Sequence, residues 1–189
     1  MQDDSLPLTG RRVVIFVGDD YEDLELQYPR LRLIKAGAEV VVAGLEAGVT
    51  HLGKHGYPQR ADAAAADLSA DGFDGLVVPG GWMPDKLRRD PAVLALTLAF
   101  HKQEKLIGSV CHGAWINISA KVVEGFRYTS TPGIKDDLVN AGVSEWVNEE
   151  VVVDRHHVSA RRPDDGPAWC REMIRVLAGQ AARQKPGFV

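Results

Sequence analysis

Short, unbroken apolar runs alternate with stretches of helical periodicity along this chain. Val13-Val14-Ile15-Phe16-Val17, Glu39 to Ala43, Phe73 to Val78 and Leu106 to Val110 each have the length of a strand and are rich in β-branched residues. Runs without polar alternation belong to parallel strands covered on both faces. Between them, Leu24, Tyr28, Leu31 and Leu33/Ile34 recur at helical spacing and stop at Gly37, with Pro29 expected to kink the helix or mark its true start. Asp90-Pro91 pairs an N-cap acid with proline at the first helical position and opens a helix to about His101. Further helices are expected over Gly113 to Val123, Ile134 to Asn140 and Pro163 to Ala182, and a short helix or irregular turn over Asp62 to Ser69. A short strand at Arg127 to Ser130 and two strands, Glu150–Asp154 and His156–Ala160, around a turn at Asp154-Arg155 complete the pattern. Strands alternating with helices predict an α/β fold with a mostly parallel central sheet covered by helices on both faces. Residues 44–60, with their glycines and Tyr57-Pro58, form a small projecting hairpin.

Three segments break this pattern at the carboxyl ends of strands, where open α/β sheets bind ligands. The first run is followed by the acidic loop Gly18-Asp19-Asp20-Tyr21-Glu22-Asp23, the third by Pro79-Gly80-Gly81, and the fourth by Cys111-His112-Gly113. A cysteine on a tight strand-to-helix turn is lifted clear of the sheet, with Ser109 and Gly113 small enough for the bend. Amides at the start of the next helix favour a thiolate. Each piece alone has a plainer reading, since a cysteine after a strand is usually a small buried hydrophobe and Gly-Gly is usually a turn. The convergence of the three carries the argument.

Composition narrows the partners. The 189 residues suffice for one sizeable domain, here 11–184, with a flexible leader at 1–10 and a tail at 185–189. A net charge of −4 argues against a nucleic-acid partner, because such binders carry a basic excess. There is no apolar run of about 18 residues to span a membrane, and the polar first ten residues lack signal-peptide regions. Two cysteines without metal-ligand spacing suit a reducing cytoplasm.

The residues also carry a resemblance. Glu22-Asp23-Leu24-Glu25-Leu26-Gln27-Tyr28-Pro29, Gly53 to Tyr57, Pro79 to Gly81, Cys111-His112-Gly113, Pro132 to Asp137, Val151 to Asp154 and Val158-Ser159 occur in the order found in the PfpI family of intracellular cysteine peptidase-like proteins, within the ThiJ/PfpI superfamily and its class I glutamine-amidotransferase-like fold. The similarity runs from about residue 11 to about residue 180. It implies a flavodoxin-like three-layer sandwich with an elbow nucleophile at Cys111, a protonated Glu25 hydrogen-bonded to its sulfur, and His112 as base, oriented by an acid of a neighbouring subunit in a homo-oligomer. The matching acid is Asp85, one methylene shorter than the glutamate usual in the family. The amides of Gly81 and His112, with Gly80 beside them, form the implied oxyanion hole. Where glyoxalase- or deglycase-type relatives often place histidine or tyrosine, this chain has Thr131, a poor general base. Adjacent side chains diverge, so an in-plane Cys111–His112 pair is expected to be awkward.

The implied chemistry is a cysteine hydrolase whose thiolate attacks a carbonyl, either a peptide or methylglyoxal and its protein adducts. The alternative is a redox sensor or chaperone-like protein with an oxidisable Cys111. Glu22 and Thr131, Arg161 as a carboxylate holder or an ion-pair member, and Trp115 and Trp82 beside the pocket complete the candidate set. No metal or cofactor is assigned. His156 and His157, placed on a strand, are expected on opposite faces and so unable to share an ion, and His51 and His55 lie in the hairpin. Cys170 is read as packed and inert.

Overall fold

The computed structural model describes residues 6–183. In chain order the elements are β1 (Arg12–Phe16), α1 (Asp23–Lys35), β2 (Glu39–Gly44), β3 (Thr50–Leu52), β4 (Pro58–Arg60), β5 (Ala63–Ala64), β6 (Gly75–Val78), α2 (Met83–Leu87), α3 (Pro91–Lys102), β7 (Leu106–Val110), α4 (Ala114–Ser119), β8 (Arg127–Tyr128), α5 (Lys135–Asn140), β9 (Glu145–Trp146), β10 (Val151–Asp154), β11 (His157–Ala160) and α6 (Gly166–Arg183). The main sheet has seven strands in the order β10-β11-β7-β6-β1-β2-β5. Every pairing in it is parallel except β10 with β11. The apolar runs earn their place: β6 and β7 are buried at every residue, and so is β11 despite its polar His157 and Ser159. α1 and α6 pack together on one face and α2, α3 and α4 on the other, giving the expected three layers. The projecting hairpin is β3–β4, paired antiparallel.

The chain moves outward from β1 to β2 in one direction and, through β6, in the other. The loops leaving the carboxyl ends of β1 and β6 therefore part company, opening the crevice that parallel sheets use for ligands. An isolated bridge between Tyr21 and Gly81 ties the two loops. Trp82 N–H to Asp20 O at 2.9 Å and Glu22 N–H to Gly80 O at 3.2 Å reinforce it.

Several local expectations differ. α1 runs uninterrupted through Pro29, and its buried side is Asp23, Glu25, Leu26, Pro29 and Leu33. Leu24, Leu31 and Ile34 face solvent. The helix is phased by the need to aim Glu25 inward, not by its apolar count. The segment after Cys111 is a single 3₁₀ turn followed by the short α4, which ends where Lys121 takes φ 57°. α2 and β9 have too few periodic residues to be legible alone. Leu8 is fully buried and its N–H bonds Ala36 O at 2.8 Å, so this residue anchors the otherwise exposed stretch 6–10 of the expected leader. The remainder of that leader and the tail lie outside the described residues. Among the described residues, no helix is long and apolar enough to cross a membrane.

Candidate active site

Cys111 stands at the carboxyl end of β7 with φ 58°, a left-handed conformation that costs a non-glycine residue of order 1–2 kcal/mol. The surrounding packing enforces it. A Cβ on Gly113 would collide with the carbonyl of Val78, and one on Gly80 would lie 2.7 Å from Cys111 Cβ and 2.9 Å from His112 N. Gly81 has φ 78° and backs directly onto Asp20 and Glu22. The glycines are thus demanded by close backbone approach around the sulfur.

Glu25 reaches this point from the first turn of α1. Its Oε2 accepts the Gly80 N–H at 2.8 Å, and the carboxyl and the Cys111 side chain both close on Gly80, so each bears on the other's pKa. Oε1 is buried without a nitrogen or oxygen partner. Burial raises the Glu25 pKa to about 8, outweighing the Gly80 bond, and the nearby Glu22 adds to the rise. The carboxyl is therefore protonated at neutral pH. Burial likewise pushes the Cys111 thiol up to about 12, with the Glu25 carboxylate next in effect, against amide hydrogen bonds from His112 and Gly81. An acidified resting thiolate, expected from the elbow alone, is thus overridden by burial and by the adjacent acid. The pair holds its protons jointly.

His112 Nδ1 lies 3.3 Å from Cys111 Sγ. The expected divergence of adjacent side chains is overcome because φ at Cys111 is positive and the 3₁₀ turn follows at once. The imidazole sits between two indoles, with centroid distances of 5.4 Å to Trp82 and 4.7 Å to Trp115. Its pKa is lowered by burial and then by Lys54, while Asp137 opposes the shift. A neutral ring facing the sulfur can take its proton.

Two residues not singled out by sequence reasoning shape this electrostatics. Lys54, at the end of β3, pairs its Nζ with Glu22 at 2.5 Å and leans its charge toward Cys111, Glu25 and His112. Asp137 of α5 accepts the Trp115 Nε1–H at 2.7 Å. Both lie inside recognisable motifs, but nothing local places them together. The buried Asp23 pins the hairpin over the site, accepting the amides of His55 and Tyr57 at 3.0 Å each. Tyr21 adds an O–H bond to Tyr57 O at 2.6 Å.

Other candidates sit apart. Asp85 is half-buried and pairs with Arg89 at 2.5 Å within its own chain. The Gly80 N–H is committed to Glu25, which leaves Gly81 and His112 as the amides facing the sulfur. Arg161 pairs with Asp165 through Nε and Nη2 and bonds Asn148 through Nη1. Thr131 is half-buried at the start of the 3₁₀ turn before α5, with no recorded contact to Cys111. A cavity of about 360 Å³ is lined by Arg88, Trp115, Ile118, Asp137, Asn140 and Ala141, and Cys111 is not among its lining residues. Cys170 is fully buried, as expected.

His156 and His157 depart from expectation. The turn falls at Arg155-His156, so His156 precedes β11 and its ring lies beside that of His157, 4.7 Å between centroids.

Comparison with known proteins brings the site into register with a family. The DJ-1/PfpI family model matches residues 11–176. A deglycase from Pyrococcus abyssi is 46% identical over 166 residues, covering 88% of this chain and 99% of its own. General stress protein 18 of Bacillus subtilis is 35% identical over 169 residues, covering 89% of this chain and 98% of its own. Among solved structures, a two-domain protein from Anabaena variabilis with DJ-1/ThiJ/PfpI-like and ferritin-like domains superposes with a TM-score of 0.86 at 33% identity. The match covers 88% of this chain and 48% of that one, so this chain spans about half its length.

Proposed function

This chain belongs to the DJ-1/PfpI family, and from that premise we propose that it is a cysteine-dependent hydrolase acting on carbonyl adducts of amines, of the kind formed by reactive dicarbonyls. The observation that carries the reading is the convergence on Cys111 Sγ of the His112 Nδ1 at 3.3 Å, the Glu25 carboxyl and the amides of Gly81 and His112.

In this mechanism the thiol is not ionised in advance. As Sγ bonds to the carbonyl carbon, its proton passes to His112 and the carbonyl π pair becomes an alkoxide. The Gly81 and His112 amides stabilise that oxygen, and stabilisation of this type is worth about 3 kcal/mol for a single donor. Protonated at neutral pH, Glu25 keeps a second negative charge away from the sulfur. Trp82 and Trp115 hold the imidazole in place and shield it from water. The name of the P. abyssi relative supports a deglycase over a peptidase. The proposal extends to a cytoplasmic homo-oligomer in which Asp85 turns from Arg89 toward His112 of a second copy.

The test is turnover of methylglyoxal-modified N-acetyl-lysine and N-acetyl-cysteine, with a fluorogenic peptide amide alongside. Release of free amine or thiol by wild type, and its loss in Cys111→Ser, is expected. Activity that persists in Cys111→Ser refutes the mechanism. Absence of turnover together with peroxide-dependent mass gain on Cys111 moves the assignment to a redox sensor.

A further inference from the structure

At the opposite end of β7 from Cys111, three imidazoles converge. His157 opens β11 and pairs with Ile107 near the start of β7, His156 lies in the turn before it, and His101 closes α3. With about 3.3 Å of rise per residue, the length of β7 separates this cluster from the elbow by more than 10 Å. His101 Nδ1 lies 3.2 Å from His157 Nε2 and 3.2 Å from His156 Nε2. All three nitrogens fall within 4.8 Å of one another.

We propose that His101 Nδ1, His156 Nε2 and His157 Nε2 form a binding site for a divalent zinc-class metal ion, with water completing a four-coordinate shell.

The geometry is that of a tetrahedral face. Zinc–nitrogen bonds of 2.0–2.1 Å place ligand nitrogens about 3.3 Å apart, close to two of the three edges present. Hydrogen bonding among the rings explains the arrangement less well. The two 3.2 Å contacts share one nitrogen, and a single N–H on His101 cannot point well at two acceptors at once. A cation accepts all three lone pairs.

The supporting contacts fit the same role. Tyr128 O lies 2.8 Å from His157 Nδ1 and accepts the Asn117 Nδ2–H at 3.0 Å. The His157 tautomer that donates Nδ1–H to Tyr128 leaves Nε2 as a lone pair facing the other rings, the second partner that metal-bound histidines ordinarily have. Phe126 walls one side, 4.2 Å from the His157 centroid and 5.6 Å from that of His101. Burial holds all three imidazoles below their usual range, so they present neutral nitrogens. The surrounding charges are Arg155, which opposes a cation, and Asp154 and Glu104, which favour one. Arg155 is drawn aside over the Phe126 ring at 3.4 Å and onto Asp154 at 3.2 Å. His101 is half-buried and gives the ion access. Imidazole ligands suit zinc, copper, nickel and iron, and a redox-inert tetrahedral ion is the member this triangle fits most closely.

The experiment uses the untagged full chain carrying Cys111→Ser, which removes the elbow sulfur as a rival ligand. Zinc chloride is titrated by calorimetry and cobalt(II) by visible absorption. One zinc ion per chain is expected, with a rise in thermal midpoint and an intense four-coordinate cobalt spectrum. His101→Ala and His156→Ala, each added to that background, are expected to weaken binding at least tenfold and to abolish the thermal shift, with circular dichroism verifying the fold. His157 is left intact because its buried ring packs the core. Lack of saturable zinc binding, a cobalt spectrum like that of the aqueous ion, or affinity unchanged by both substitutions overturns the proposal.

Discussion

Glu25 Oε2 accepts the Gly80 N–H at 2.8 Å while the same buried carboxyl, packed with Cys111 around Gly80, holds the thiol's pKa up, so one acid bears on both the glycine turn and the sulfur. Its pKa near 8 carries a stability consequence. The folded chain holds this proton between the ordinary carboxylate range and about pH 8, while the unfolded chain has lost it. Stability from this group is therefore full below about pH 4.5 and declines as pH rises through 8. The total is on the order of a few kcal/mol. Glu25→Gln should flatten the fall. Urea midpoints at pH 5 and 8 for both proteins measure it, and an equal fall in the variant contradicts the assignment.

The thiol offers a second check. Iodoacetamide alkylation of Cys111 should accelerate with pH well past the range of a free cysteine, about 8.5. Removing the carboxylate charge in Glu25→Gln should move that rise to lower pH, because Glu25 is among the causes holding the thiol up. Peptide mass mapping separates Cys111 from buried Cys170. A rise in the variant at the same or higher pH would contradict the coupling.

Lys54 and Asp137 should act on His112 in opposite senses. Lys54 lowers the imidazole pKa and Asp137 raises it. The acid limb of kcat/KM against pH reports this group. Lys54→Met should move that limb to higher pH and Asp137→Asn to lower pH. Shifts in the same direction would show that another group sets the limb.

Gly80→Ala tests the close approach at the elbow. The added methyl would meet Glu25 Oε2 at 2.6 Å and Cys111 Cβ at 2.7 Å, and neither neighbour is the loose end of a surface chain. Overpacking of this kind costs about 1–3 kcal/mol, and displacement of Glu25 should cut turnover by about 100-fold or more, since misplacement by about 1 Å can cost that much. Calorimetric unfolding and steady-state kinetics measure the two effects. Near wild-type activity would mean that the turn is softer than its contacts indicate.

Asp85→Ala addresses assembly. Within one chain Asp85 serves only Arg89 on the surface, where such a pair is worth about 0–1 kcal/mol. If a second copy uses Asp85, kcat should fall severalfold with little change in stability, and wild-type specific activity should drop on dilution below the dissociation constant of the oligomer. Unchanged kcat and dilution-independent activity remove the acid in trans.

The apolar runs by themselves determined the parallel core, because strands covered on both faces select small and apolar residues without polar alternation, and β6 and β7 are buried throughout. The glycines and the cysteine after those runs likewise marked the sheet edge where the loops meet, since tight turns demand small residues wherever the chain goes next. What tertiary structure alone decided was distance and dielectric. Helix α1 turns Glu25 rather than Leu24 inward, so the acid keeps its proton and raises the sulfur's pKa. The hairpin swings Lys54 over the site from 29 residues along the chain after Glu25. A turn displaced by one residue brings His156 beside His157 and His101. Local pattern encodes which atoms are polar and where the chain bends, but a pKa or a ligand triangle depends on groups far apart in sequence whose separation exists only once the sheet has formed.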